Sequence, residues 1–268
     1  LYQPDQLCIT YDPSLRMHIT RALQNWMNGF WESKLAFAKE QGYPLFDAPL
    51  YRYISAESRA DGTLHLKLGD TSYREYVTTR APEFFRERKR EELGNALSVC
   101  SVVETSDGYI LLDKRQGVDV YAGRYHVIGG YFERGRDVTP GNMHDARPDP
   151  FAAMRREIRE ETGITHDDIR EQYCLGVVYD VATPHAELCF LTRLRISLAE
   201  AQTRVPEEDE IKQLEPLYIT AESLRAFLVA HHGHISATGE PNLLLYGELR
   251  YGKGWMDETT CSLIRAIV

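Results

Sequence analysis

The stretch Phe151 to Thr162 constrains this chain more than any other, because both its punctuation and its charges are specific. Asp149 is placed to cap a helix, Pro150 suits a first turn, and Gly163 stands just past the last one. Phe151, Met154 and Ile158 recur at i, i+3 and i+7, an apolar seam that can seat the helix against a sheet. Glu157, Glu160 and Glu161 stand at i, i+3 and i+4, so their carboxylates are expected to converge on a neighbouring face. Like charges at that spacing repel one another and weaken an isolated helix. Hard, oxygen-seeking cations reverse the penalty, Mg²⁺ foremost and Mn²⁺ as its substitute, because they take several carboxylate oxygens. Metal held there can polarise phosphoryl oxygens and supply an activated water. The plainer reading of the same residues is a solvated charged helix with local Arg–Glu pairs.

Around that segment, strands mix with a few helices without regular alternation, which argues for an α+β class or mixed-sheet sandwich. Leu15, Ile19, Leu23, Trp26 and Phe30 predict a helix over 14–40. Strands are expected at 50–53, 65–68, 99–103, 110–112 and 125–128, then at 173–179, 186–196 and 211–219. Helices are expected near 221–231 and 257–266. Asp61-Gly62 and Asp107-Gly108 are hairpin turn signals. The charged run Arg86 to Glu92 reads as a solvated helix face. A boundary near Gly94 divides the 268 residues into a small N-terminal α+β unit, 1–92, and a larger domain, 93–268.

Composition excludes several partners. The chain carries 40 acids against 31 Lys plus Arg, a formal charge of −9, so neither nucleic acid nor an anionic membrane is an expected partner. A polyanionic substrate would need local help from metal or arginine. No apolar run approaches the roughly 20 residues of a membrane span, and no secretory leader is visible. Cys8, Cys100, Cys174, Cys189 and Cys261 form no CxxC pair and read as reduced thiols, so the cytoplasm is the expected compartment.

Arg156-Glu157-Ile158-Arg159-Glu160-Glu161-Thr162-Gly163-Ile164 resembles the end of the Nudix box, G-x5-E-x7-R-E-U-x-E-E-x-G-U with U aliphatic, at every specified position. The resemblance implies a mixed sheet sandwiched between helices (α/β/α) and metal-dependent attack of water on a diphosphate linkage. It assigns metal ligation to Glu157, Glu160 and Glu161, with Arg156 orienting Glu160. Gly129-Gly130 fits the double glycine, and Glu133 fits a glutamate often found three residues later. Two departures stand out: Arg136 occupies the position of the expected glutamate, and 12 extra residues, 137–148, follow it, among them His144 and Asp145. They read as a surface excursion or a lid, and the lost carboxylate bears on the metal count. The general base is expected in the acidic loop Glu207-Glu208-Asp209-Glu210, with Glu210 first and Glu208 second.

Leu45-Phe46-Asp47-Ala48-Pro49, Leu68 to Tyr76, Leu93-Gly94-Asn95 and Val103 to Asp107 resemble the UDP-glucose/UDP-galactose diphosphatase subgroup. The subgroup implies cleavage of a UDP-hexose into UMP and sugar 1-phosphate. Another nucleotide such as ADP-ribose, or a non-catalytic nucleotide-binding module, is the alternative. Arg115 and Lys114 follow a strand leading toward the box and are candidate phosphate contacts beside Gly129 and Gly130. His231, His232 and His234 read as helix-end or surface histidines. Tyr43, Tyr51, Tyr53, Tyr73 and Tyr76 read as strand and core packing. The N-terminal unit offers a surface for a homodimer or a cover over the substrate.

Overall fold

The computed structural model describes residues 1–115, 121–139, 147–207 and 214–267, organised by two sheets. The smaller sheet contains β1 (Leu7–Tyr11), β2 (Pro49–Ser58) and β3 (Leu64–Ser72) in the order β1-β3-β2. The larger contains β4 (Leu97–Glu104), β5 (Tyr109–Lys114), β6 (Tyr125–Tyr131), β7 (Ile169–Asp180), β8 (His185–Leu194) and β9 (Leu214–Tyr218). Its order is β7-β8-β4-β6-β5-β9, with β4 parallel to β8 and antiparallel to β6. The fold is α+β, with a mixed sheet as expected.

Period-two alternation along β4 assigns the two faces of the larger sheet. Val99 and Val103 join Phe151, Met154 and Ile158 of α4 (Pro150–Thr162) in one apolar core. Cys100 and Val102 face the other way. There they meet Leu224 and Leu228 of α6 (Ala221–Ala230), Leu243 and Tyr246 of α7 (Gly239–Tyr251), and Trp255 and Leu263 of α8 (Lys253–Ile267). Helices therefore cover both faces.

The small sheet turns Tyr51, Tyr53, Leu64, Leu66 and Leu68 into the same core that holds α4. Its strand β2 also braces the segment leading to that helix. Tyr51 N–H donates to the Phe132 carbonyl at 3.1 Å, and Arg134 N–H donates to the Pro49 carbonyl at 2.9 Å.

Several elements differ from the sequence expectation. Helix α1 starts at Arg21 and runs to Gln41, later than 14, because the Thr20 hydroxyl accepts from Leu23 N–H and fixes the cap there. Upstream, Asp12 accepts from the backbone N–H of Ser14 at 2.9 Å and holds a turn instead. The run Arg86 to Glu92 is exposed as expected but is not a helix face. Only α3 (Pro82–Phe85) and a single 3₁₀ turn, Arg90–Glu92, are regular there. Arg90 stacks on Tyr53 and Tyr179 at 5.3 and 5.4 Å, and Arg88 on Phe84 at 5.1 Å, so ring contacts rather than helical spacing order the segment. Among the elements that went unread are β1, α2 (Tyr73–Thr79), α5 (Leu198–Ala201) and α7. The expected strand over 211–219 is observed as Leu214–Tyr218, with 211–213 outside the described residues. Among the described residues, no helix is long and apolar enough to cross a membrane.

Candidate active site

Helix α4 begins and ends where its punctuation predicts. The Asp149 carboxylate accepts from the backbone N–H groups of Phe151 and Ala152, each at 3.0 Å. At the far end Gly163 adopts φ 73°, a conformation that favours glycine, and a Cβ there would lie 2.3 Å from the Val205 carbonyl oxygen. The apolar seam faces the sheet, and Glu157, Glu160 and Glu161 are nonetheless buried, at 8%, 5% and 9% exposure. Buried carboxylates need partners.

Arg156 supplies most of them. Its Nη1 donates to Glu157 Oε1 and Glu160 Oε2, both at 2.8 Å, and its Nη2 donates to the Tyr131 carbonyl at 2.9 Å. Nε and Nη2 together form a two-pronged pair with Asp137, each bond 2.8 Å. Burial works against the guanidinium charge, but Asp137, Glu157 and Glu160 hold its pKa above the ordinary value. Burial pushes the Glu157 carboxyl up to about 8 despite the opposing pull of Arg156. The double-glycine strand β6 lies directly against these groups. A Cβ on Gly130 would sit 2.5 Å from the carboxylate of Glu157, so only glycine lets strand and carboxylate approach this closely. Gly129 N–H donates to Glu161 Oε2 at 3.3 Å.

The three carboxylates are buried together on α4, but arginines divide them. Among the described residues, no group of three His, Cys, Asp or Glu side chains is arranged to hold a metal ion as it stands. The reason is electrostatic: with guanidinium groups inside the cluster, the carboxylates turn to them. Glu160 gives Oε2 to Arg156 and Oε1 to Arg136, the latter at 2.7 Å. Glu157 and Glu161 stand one helical turn apart under the double glycine. These two supply the hard oxygen donors a divalent cation prefers, and Gly130, lacking a Cβ, leaves room beside the Glu157 carboxylate. Glu160, as placed, gives both oxygens to arginine.

Asp137 is the residue that sequence reasoning missed. It lies at the start of the 137–148 excursion, yet it is 1% exposed and accepts from Arg156 and from the Glu133 backbone N–H at 2.7 Å. Arg156, known from the motif to need carboxylate partners, was the one available signal. The excursion leaves and returns as a paired stem: Thr139 N–H donates to the Arg147 carbonyl at 2.8 Å and Asp149 N–H to the Asp137 carbonyl at 3.0 Å. His144 and Asp145 lie outside the described residues, as do Glu208, Asp209 and Glu210. Glu207, at the start of the acidic loop, pairs with Arg159 Nε of α4 at 2.9 Å.

Arg115 directly follows β5. Its N–H donates to the Arg124 carbonyl at 3.0 Å. Lys114 instead stacks on Tyr125, 5.3 Å from the ring centre. A second buried polar group also escaped the sequence reading. His126 Nε2 lies 3.7 Å from Glu187 Oε1, and His126 Nδ1 is 2.6 Å from the Ser236 hydroxyl. Glu187 is held down to about 2: burial opposes its charge, but His126 and His185 outweigh that. His231 caps α6 and packs on Tyr125 at 4.8 Å, while His232 pairs with Glu240 at 3.0 Å. Tyr51, Tyr53 and Tyr76 are buried, and Tyr73 packs on Tyr131; Tyr43 is exposed.

Comparison with protein families gives a match to the NUDIX domain over residues 94–238, more than half of the chain. The chain belongs to the Nudix family. It is an enzyme of the diphosphate-hydrolysing kind. No curated protein sequence matches it. Among solved structures it is similar to a NUDIX hydrolase from Nitrosomonas europaea, at 15% identity and a TM-score of 0.40, covering 57% of this chain and 88% of that one. It is also similar to the NUDIX domain of Shewanella oneidensis NrtR complexed with ADP ribose, at 15% identity and 0.38, covering 66% and 96%. A third is the bifunctional NMN adenylyltransferase/ADP ribose pyrophosphatase from Francisella tularensis, at 15% and 0.40, covering 66% and 46%. Likeness at this level carries nothing about the substrate of the present Nudix chain.

Proposed function

We propose that this Nudix enzyme hydrolyses a nucleoside diphosphate linked to a second moiety, with Mg²⁺ or Mn²⁺ as cofactor and a UDP-hexose as the leading substrate. The observation that carries the reading is the buried Arg156–Glu157–Glu160 cluster pressed against Gly130. Such a concentration of acid has no packing use and costs desolvation, which a cation–phosphate substrate would offset. When bound, the divalent ion supplies polarisation of a phosphoryl oxygen and neutralises charge on the leaving phosphate.

The residues divide the work. Glu157 and Glu161 would hold the ion beneath the double glycine. Arg156 and Asp137 position Glu157 and Glu160 and keep bulk water from them. Arg115 would meet a phosphate near Gly129 and Gly130. The proton of the attacking water passes to a carboxylate of the acidic run 207–210, with Glu210 the lead. Water adds to one phosphorus and the bridging oxygen leaves with the other, so a UDP-hexose gives UMP and hexose 1-phosphate. The UDP-hexose choice is supported by the N-terminal segments Leu45 to Pro49 and Leu68 to Tyr76.

The test is a panel of UDP-glucose, UDP-galactose, ADP-ribose and GDP-mannose with Mg²⁺ or Mn²⁺, scored by the nucleoside monophosphate released. UMP from the first two at the highest kcat/KM is expected, with loss on chelation and collapse in Glu160→Gln. Preference for ADP-ribose overturns the substrate. Full activity in chelator overturns the metal-dependent mechanism.

A further inference from the structure

Glu160 has both carboxylate oxygens engaged by arginine, but the two arginines are held very differently. Arg156 is buried and anchored on Asp137 and the Tyr131 carbonyl. Arg136 has a side chain 49% exposed, and its guanidinium spans two carboxylates: Nη2 to Glu160 Oε1 at 2.7 Å, Nη1 to Glu133 Oε1 at 3.1 Å. Glu133 and Glu160 come from different elements, the turn after β6 and helix α4, and meet on one planar cation. Two carboxylates from separate elements gathered around a half-exposed positive charge form an arrangement that a divalent ion could otherwise fill. The guanidinium is monovalent but tethered, so it competes without leaving the chain.

We propose that Arg136 is a resident counter-cation at the Glu133–Glu160 position, so that the enzyme takes one divalent ion, at Glu157 and Glu161, and excludes a second. This rests on the metal-dependent reading above. Arg136 acts through Glu160 and is a positioning residue. Replacing it by a neutral side chain removes a positive charge held on Glu160, the residue before Glu161. Replacing it by a carboxylate completes a second set of oxygen donors with Glu133 and Glu160.

The full-length protein is titrated with Mn²⁺ and the free ion is read by electron paramagnetic resonance; each variant is also melted by circular dichroism. Wild type should bind one Mn²⁺ per chain. Arg136→Gln should tighten that site roughly tenfold, by loss of a nearby positive charge. Arg136→Glu should bind a second equivalent, and Arg136→Lys should keep the wild-type count. Two equivalents in wild type overturn the proposal. So do an unchanged affinity in Arg136→Gln and an unchanged count in a folded Arg136→Glu; if Arg136→Glu melts early, Arg136→Gln decides alone. A wild type that binds no Mn²⁺ and still hydrolyses overturns the metal-dependent reading as well, whereas one equivalent in every folded variant overturns this proposal only.

Discussion

Arg156 and Arg136 bond to opposite oxygens of one carboxylate, yet they belong to two halves of the site that differ in nearly every physical respect. The inner half is Asp137, Arg156 and Glu157, closed between α4 and β6, with Asp137 at 1% exposure. There, water cannot compensate a missing partner, so each charge depends on the others. The outer half is Glu133 and Arg136, with side chains 18% and 49% exposed, where hydration can replace more of a lost ion pair. The comparison teaches that identical residue types serve as scaffold on one side and as an exchangeable charge on the other.

The largest expected break in that contrast is Arg156→Ala. It strands buried carboxylates and should destabilise the protein by about 3–5 kcal/mol, read from denaturant midpoints. A loss below about 1 kcal/mol would erase the distinction between the halves. Gly130→Ala comes next: the added methyl meets Glu157, so stability should fall by about 1–3 kcal/mol. Its hydrolysis should drop by at least about tenfold through a displaced carboxylate. Unimpaired turnover would mean Glu157 has no role in the site. Asp137→Asn keeps the shape but removes one charge from the pair with Arg156, and about 1–3 kcal/mol is expected. A change of a few tenths would place Asp137 with the outer half.

The Glu187–His126 pair extends the comparison to a second buried group. The Glu187 pKa is depressed in the folded state to about 2, against an ordinary value of 4.5. Its contribution is therefore present above pH 4.5 and is lost as pH falls toward 2. Melting temperature should fall across that window, and Glu187→Gln should flatten the fall; an identical acid profile in the variant would remove Glu187 from the account. The smallest effect is expected for Arg136→Gln, whose unfolding free energy should stay within about 1 kcal/mol of wild type. A larger loss would show that the outer arginine is structural after all.

How legible the site was differed along the chain. Helix α4 was read almost to the residue, because an Asx cap, a first-turn proline and a terminal glycine are local devices that act within one or two turns. The double glycine was legible for the same reason of tight local sterics. Helix α7 was not, because Leu243-Leu244-Leu245-Tyr246 is continuous apolar sequence and Gly239, Pro241 and Gly247 look like breakers. Gly247 is there for packing: a Cβ would lie 2.0 Å from the Trp255 ring. Asp137 was hidden inside what read as an insertion, since nothing local marks a carboxylate whose partner is 19 residues away.

From the sequence alone came the mixed α+β class, the acidic helix with its caps, and the enzyme family. These rest on short-range patterning, which backbone geometry translates directly into structure. Tertiary structure alone decided that the small N-terminal sheet shares the core of α4 and braces the turn before it. It also decided that Glu160 is given to two arginines while Glu157 and Glu161 face the double glycine. Which carboxylate meets which cation depends on distances across the fold and on how much water each pair keeps, and neither is written in residue spacing.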